Sequence, residues 1–240
     1  MAEKNKPFEN VEVISKVLKE RYGNRRLGNK KNPFNELLYI ILSSKTPPHR
    51  YQETYRSLRK RFPRSDMLAK SAPREIETVI KKGGLAKKKG DQISAIARQL
   101  KEESGRVSLA QLRKMNDHQA EAFLKRLPGV GIKVARCILL FSLNRDVFPV
   151  DAHCLRIASR IGWLNGRPPI SDRIADEIQE GIPRNLRRSL HISFVLLGRE
   201  LCSSSNPRCW DCPIGTFCET GKHCATTFSP SRLNEKSVPR

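Results

Sequence analysis

Leu127-Pro128-Gly129-Val130-Gly131-Ile132-Lys133-Val134-Ala135 is the stretch that decides the fold of this chain. An apolar helical stripe of Ala120, Phe123, Leu124 and Leu127 follows Asn116-Asp117 and runs into Pro-Gly-x-Gly. A second stripe leaves through Val134, Ala135, Ile138 and Leu139. The two glycines, Gly129 and Gly131, let the backbone turn tightly around Val130 and approach a ligand closely. The helix that follows offers unpaired N–H groups and the positive end of its dipole, which suits a phosphate. The segment reads as a helical hairpin that grips a nucleic-acid backbone without reading bases, or as an ordinary tight connection between packed helices. Lys133 has two readings as well. It is an amine able to attack a sugar carbon once burial and neighbouring cations keep it neutral, or one more lysine on a phosphate.

Working outward, helical periodicity continues on both sides of the hairpin. Ile93, Ile96, Ala97 and Leu100 follow Asp91, which reads as an N-cap. Tyr51, Tyr55, Leu58 and Phe62 form one further stripe, and Leu186, Leu190, Phe194, Leu197 and Leu201 another. These stripes read as core faces. Breakers such as Pro47-Pro48, Pro63, Pro73, Gly83-Gly84, Pro149, Pro168-Pro169 and Pro183 separate them. No segment alternates at period two for long enough to make a strand, so the fold class is all-α. The Ser-, Pro- and charge-rich end, residues 225–240, reads as a disordered tail.

Charge narrows the partners. Lys and Arg number 46 against 24 Asp and Glu, a formal net charge of +22 on 240 residues. A compact monomer repels itself at that charge unless a polyanion shares its surface, so nucleic acid leads as partner. No apolar run approaches the length of a spanning helix, which argues against a membrane partner. The start, Met1 to Lys6, has no apolar core behind its charges and does not read as a secretory signal. The chain is therefore expected in the cytoplasm with the nucleoid, or in the nucleus of a eukaryotic source. In such a reducing compartment, seven cysteines suggest a metal site or free thiols rather than disulfides.

Two further constellations carry chemistry. In Phe148-Pro149-Val150-Asp151-Ala152-His153 the proline interrupts any helix, so Asp151 stands at an N-cap ahead of Leu155, Ala158 and Ile161. The same carboxylate could stabilise positive charge developing on a deoxyribose ring, or help take a proton from an incoming amine. His153 reads as a supporting residue. Cys202-x6-Cys209-x2-Cys212-x5-Cys218 places four thiols in one short segment, suited to zinc or to an iron–sulfur cluster. Zinc sites usually pair two C-x2-C units, and only one occurs here, which favours a cubane. Cys224 continues the series as a fifth thiol, while Cys137 and Cys154 fall on helices as buried thiols.

The Leu-Pro-Gly-Val-Gly-x-Lys hairpin, the Val-Asp-x-His segment and the cysteine spacing, in this order, resemble the endonuclease III family of helix-hairpin-helix DNA glycosylases. The resemblance runs from Asn32-Pro33-Phe34 to Cys218. It implies a two-domain helix-hairpin-helix glycosylase fold: a helical barrel over residues 26–145, and a cluster domain joining residues 1–25 to 146–224. It also implies a monomer that binds duplex DNA carrying a damaged or mismatched base between the two domains. Lys133 matches the lysine that attacks C1′, releases the base and forms a Schiff base that permits β-elimination. Asp151 matches the essential aspartate, and Cys202, Cys209, Cys212 and Cys218 match the ligands of a [4Fe-4S] cluster. Leu85, ahead of Lys87-Lys88-Lys89, matches a leucine that wedges into the duplex, flanked by phosphate contacts. Gly129, Val130, Gly131 and His153 join Lys45 and Leu85 as expected DNA-binding residues.

Two departures bear on the substrate. Lys45 stands where the family carries a glutamine that fills the space left by the flipped base, and Pro47-Pro48 replaces the usual continuation. A lysine there can reach O6 or N7 of an opposing guanine, or a phosphate. The resemblance thus implies a glycosylase with abasic-site lyase activity on oxidised pyrimidines. The alternatives are a mismatch glycosylase for uracil or thymine opposite guanine, and a non-catalytic DNA-structure binder. From Gly129 to Trp163, with Phe-Pro-Val-Asp and Arg-Ile-Gly-Trp, the chain also resembles plant 5-methylcytosine glycosylases.

Overall fold

A computed structural model describes residues 8–23 and 25–227 of the chain. In chain order its helices are α1 (Val11–Tyr22), α2 (Pro33–Ser43), α3 (Pro48–Arg61), α4 (Asp66–Lys70), α5 (Pro73–Ile80) and α6 (Ala86–Ser104). There follow α7 (Asp117–Lys125), α8 (Ile132–Ser142), α9 (Ala152–Ile161), α10 (Asp172–Gly181), α11 (Arg184–Glu200) and α12 (Glu219–Thr227). Short 3-10 turns link some of them, and no strand occurs among the described residues. The all-α class is as expected. The contacts divide the chain into two compact units, one of Arg26–Pro149 and one joining the residues up to Arg25 to those from Val150. Residues 146–149 thus fall in the unit that holds the hairpin, past the expected boundary at 145.

In the Arg26–Pro149 unit, α2 is apolar nearly all round, and every residue from Leu37 to Leu42 is buried. Such a helix is stable only inside a core, and α2 packs against α3, α6 and α8. Its start is fixed by Asn32, whose side chain accepts from the Asn35 N–H at 3.0 Å, and by Pro33 in the first turn. Asn116 and Gln119 form a reciprocal capping box that starts α7 where Asn116-Asp117 placed it. Around α2 gather Leu58, Phe62, Ile76, Ile93, Leu100, Leu124 and Ile138.

One expected boundary moves. Asp91 does not cap a helix, because α6 begins at Ala86, immediately after Leu85 turns the chain with φ 52°. The lysine run Lys87-Lys88-Lys89 is therefore helical, and Lys89, Ile93, Ile96 and Leu100 share one face.

In the other unit, α11 is the central helix. Leu190, Phe194, Leu197 and Leu201 are buried along it, while Leu186 is only partly covered. Helices α1 and α9 pack on it. Trp163 stacks at 5.7 Å on Phe194 and donates its indole N–H to Glu9 O at 3.1 Å, which ties the start of the chain to this core. The cysteine segment closes on α12, which extends to Thr227, so residues 225–227 of the expected tail are helical. Residues 228–240, and Met1–Lys6 of the start, lie outside the described residues.

Candidate functional site

The hairpin is built as its sequence requires. Gly129 sits at φ 68°, a conformation that favours glycine, and a Cβ there would meet Gln92 Nε2 at 2.7 Å. Gln92 in turn donates to Pro128 O at 3.0 Å and braces the turn from α6. Val130 faces inward: its side chain is buried and its N–H donates to Leu127 O at 3.1 Å. Its N–H and its side chain are thus both engaged within the fold. Gly131 is the N-cap of α8, with nothing within 4 Å of where a Cβ would stand and no side-chain cap. No side chain therefore caps the start of α8 at this position. Arg136, buried on α8, donates to Glu121 of α7 at 2.9 Å and fixes the two arms of the hairpin.

Lys133 lies in the first turn of α8 and is half-buried. Its charge is felt by Glu36, a fully buried carboxyl on α2 that the sequence reading did not single out. Burial pushes Glu36 up to about 7, and three things pull the other way: the Lys30 N–H at 2.6 Å, the Asn29 amide, and the charges of Lys133 and Lys30.

Lys45 and Leu85 stand on the same unit. Both are exposed, and both are non-glycine residues with positive φ, 50° and 52°. Leu85 is 51% exposed, unusual for leucine, and lines an open hollow with Lys87 and Lys88. Lys89 is different from the phosphate contact expected of it. Only 3% exposed, it donates to Leu42 O at 2.9 Å, Thr46 Oγ1 at 2.8 Å and Gly83 O at 3.1 Å. The signal was in the sequence, because Lys89 falls in register with Ile93, Ile96 and Leu100 on the inward face of α6.

In the second unit Asp151 is the N-cap of α9. Its Oδ1 accepts from the N–H groups of His153 and Cys154, each at 2.9 Å. His153 packs on α11 so closely that a Cβ on Gly198 would meet its Cβ at 2.7 Å. Its Nδ1 lies 3.0 Å from Arg156 Nη2. Burial holds its pKa below the ordinary range, assisted by the charges of Arg156 and Arg199 and opposed by Asp151. Within this unit His153 thus supports the α9–α11 contact. Arg156 and Arg160 on α9 grip the cysteine segment. Arg156 donates to Cys202 O at 2.9 Å, and Arg160 to Cys202 Sγ at 3.0 Å and Ser203 O at 2.7 Å.

Cys202, Cys209, Cys212 and Cys218 all lie partly exposed in one segment whose thiols influence one another. Burial raises Cys209 to about 12, helped by its hydrogen bond with Cys224, and raises Cys212 to about 11. Backbone N–H groups of Gly221 and Thr220 point at Cys218, and that of Ile214 at Cys212, as suits thiolates. Even so, among the described residues no three His, Cys, Asp or Glu side chains form a group able to hold a metal ion. The expected four-thiol centre is not drawn together around a point. The donor set and the N–H groups aimed at sulfur suit thiolate ligands of a metal centre.

The family described as HhH-GPD superfamily base excision DNA repair protein matches residues 38–184, which hold the hairpin, Lys133 and Asp151. This chain belongs to that superfamily. Within it, the HhH-GPD protein is similar to Endonuclease III of Thermotoga maritima, 29% identical over 210 residues, 87% of this chain and 92% of the relative. A putative DNA glycosylase of Arabidopsis thaliana is 34% identical over 170 residues, covering 70% of this chain and 57% of that one. The DNA glycosylase/AP lyase ROS1 of the same plant is 29% identical over 176 residues, 67% of this chain but only 12% of that much longer protein. Among solved structures, a non-covalent endonuclease III–DNA complex matches with a TM-score of 0.78 at 19% identity, covering 91% of this chain and 98% of that one. A thermostable thymine-DNA glycosylase matches with a TM-score of 0.75 at 18% identity, covering 90% and 98%. Both share the fold, that of the endonuclease III-like helix-hairpin-helix glycosylases.

Proposed function

We propose that this HhH-GPD protein is a bifunctional DNA glycosylase and abasic-site lyase that removes damaged pyrimidines from duplex DNA. The observation that carries the reading is Lys133, half-buried in the first turn of α8 directly behind the hairpin, in a chain similar to Endonuclease III over 87% of its length. The first N–H groups of α8 hold a phosphate, and the net charge of +22 draws in the polyanion. The neutral Lys133 amine attacks C1′ of an extruded nucleotide. The glycosidic bond breaks, the base leaves with the electron pair and takes up a proton, and the amine loses one. Ring opening gives an imine; loss of a C2′ proton then expels the 3′ phosphate, and water releases the lysine. The Asp151 carboxylate offsets the positive charge that develops on the sugar. A relative named as a glycosylase/AP lyase and a solved trapped endonuclease III–DNA covalent intermediate support the lyase step.

Borohydride trapping tests it. Wild type should be captured covalently on duplex DNA with an oxidised pyrimidine, and Lys133→Ala should not. Capture of the variant at wild-type yield refutes the role.

Cys202, Cys209, Cys212 and Cys218 are proposed to hold a [4Fe-4S] cluster, which supplies structural and redox properties rather than hydrolysis. The backbone N–H groups aimed at Cys212 and Cys218 would support thiolate ligands there. Purified protein should be brown and carry iron and acid-labile sulfide in equal amounts. Stoichiometric zinc refutes the cluster.

One observation favours a second substrate. Lys45 is exposed at a strained turn, and a cation there suits an orphaned guanine; the likeness to a thymine-DNA glycosylase points the same way. A panel of oxidised pyrimidine, uracil and thymine, each opposite all four bases, separates the two. Tight binding without release of any base would make the chain a non-catalytic DNA binder.

A further inference from the structure

Lys45 and Leu85 are far apart in sequence, yet one buried ammonium holds the backbone beneath both. Lys89 has three N–H donors and exactly as many acceptors within reach: Leu42 O, Thr46 Oγ1 and Gly83 O. Leu42 O is one of the last carbonyls of α2, where a cation also meets the negative end of the helix dipole. Thr46 follows Lys45, and its hydroxyl lies 2.5 Å from Gly83 O, so the two turns are bonded directly as well as through Lys89. Gly83 is backed by Thr54 of α3, whose Oγ1 would lie 2.9 Å from a Cβ there. Lys89 itself donates its backbone N–H to Leu85 O at 3.0 Å, one helical turn behind the exposed leucine. The positive φ at both Lys45 and Leu85 persists only where the surroundings hold it.

We propose that Lys89 is a positioning residue that locks the Lys45 turn and the Leu85 tip into a single two-pronged probe, so that an apolar wedge and a cation enter the duplex together. This rests on the reading of the chain as a DNA glycosylase. A wedge that opens the stack is useful only while something occupies the space it opens. Prongs that moved independently would each have to be ordered on the DNA separately. Fixed to one ammonium, they arrive already ordered.

Two experiments on the full-length protein test it, one without DNA. Lys89→Met removes the donors while keeping the length of the side chain. Thr46→Val, at a partly exposed position, is the gentler variant should the first fold poorly. Hydrogen exchange should rise together in the segments around Lys45 and Leu85 in either variant, by about tenfold or more, with the hairpin at Gly129 unchanged. No change in both segments, or an even rise through the whole Arg26–Pro149 unit, overturns the proposal.

The second experiment follows 2-aminopurine fluorescence opposite or beside a lesion as a measure of base extrusion. Lys45→Ala and Leu85→Ala should each weaken extrusion in the wild-type background, and the double variant should lose about fivefold less than the product of the two losses. In the Lys89→Met background the two losses should simply multiply. Coupling that persists there overturns the proposal. If wild type neither binds nor opens duplex DNA, the glycosylase reading fails, while the exchange result still decides whether the strut exists.

Discussion

Asp151 is a helix cap and, on the proposed function, also a charge-stabilising carboxylate, and substitution can pull the two apart. As N-cap it accepts two N–H groups at 2.9 Å through one oxygen, Oδ1. Asparagine keeps an oxygen at that position and loses only the charge. Asp151→Asn should therefore keep the capping acceptor and lose only the favourable electrostatics of the charge, of which the helix dipole contributes about 0.3–1 kcal/mol. Asp151→Ala leaves both N–H groups without that acceptor and should lose the full cap, about 1–2 kcal/mol. In a chain of this size that is a fall in Tm of about 1–4 °C for Asn against about 2–8 °C for Ala. The activity order is different. Charge stabilisation at the sugar needs the carboxylate, so both variants should lose base release by about a hundredfold or more. Urea titration and single-turnover base release, run on the same preparations, give the two scales. If Asn is as unstable as Ala, the capping account is wrong. If Asn releases base at the wild-type rate, the carboxylate is a cap and nothing more.

The two hairpin glycines should respond in opposite ways. Gly129→Ala forces an L residue to φ 68° and displaces Gln92 from Pro128 O, destabilising by about 2–3 kcal/mol in urea titration. Gly131→Ala meets nothing within 4 Å and should cost no more than the weaker N-cap preference of alanine, about 1 kcal/mol or less, but its methyl stands before the N-terminus of α8. DNA affinity should fall several-fold, and unchanged affinity refutes phosphate binding there. Glu36 supplies a pH test: its carboxyl titrates near 7 when folded, against an ordinary value of 4.5. Between those values the folded chain holds the extra proton, so stability falls as pH rises from about 5 through 7 and is flat above. Glu36→Gln should abolish that fall, gaining up to about 3 kcal/mol on wild type between pH 5 and pH 8. A difference that stays constant across that range removes Glu36 as the titrating group.

Much of the fold was legible because its signals are local. Asn116 and Gln119 spell a capping box, Pro-Gly-x-Gly spells a turn, and the α11 stripe repeats at helical spacing. Asp151 was legible as a cap for the same reason. The readings that moved depend on long-range partners. Asp91 looked like a helix start because a polar residue preceded an apolar stripe, but the positive φ at Leu85 begins α6 earlier. Lys89 looked like a surface charge although its register with Ile93, Ile96 and Leu100 turns it inward; only its acceptors, Leu42, Thr46 and Gly83, lie beyond what its own segment names. Glu36 was passed over because its burial depends on α2 lying inside the core. The cysteines were legible by spacing, but spacing does not fix how their side chains converge, and among the described residues they form no metal-holding group.

Helix α9 has Asp151 at one end and, through Arg156 and Arg160, the cysteine segment clamped along the rest of its length. Ten residues of helix make a rod about 15 Å long. A tilt of about 5° at the clamped end swings the tip by about 1 Å, a displacement able to slow a reaction by about a hundredfold. On the proposed function, the cysteine segment is the fulcrum from which the carboxylate is aimed, and damage to it should register as lost activity in a protein that is still folded.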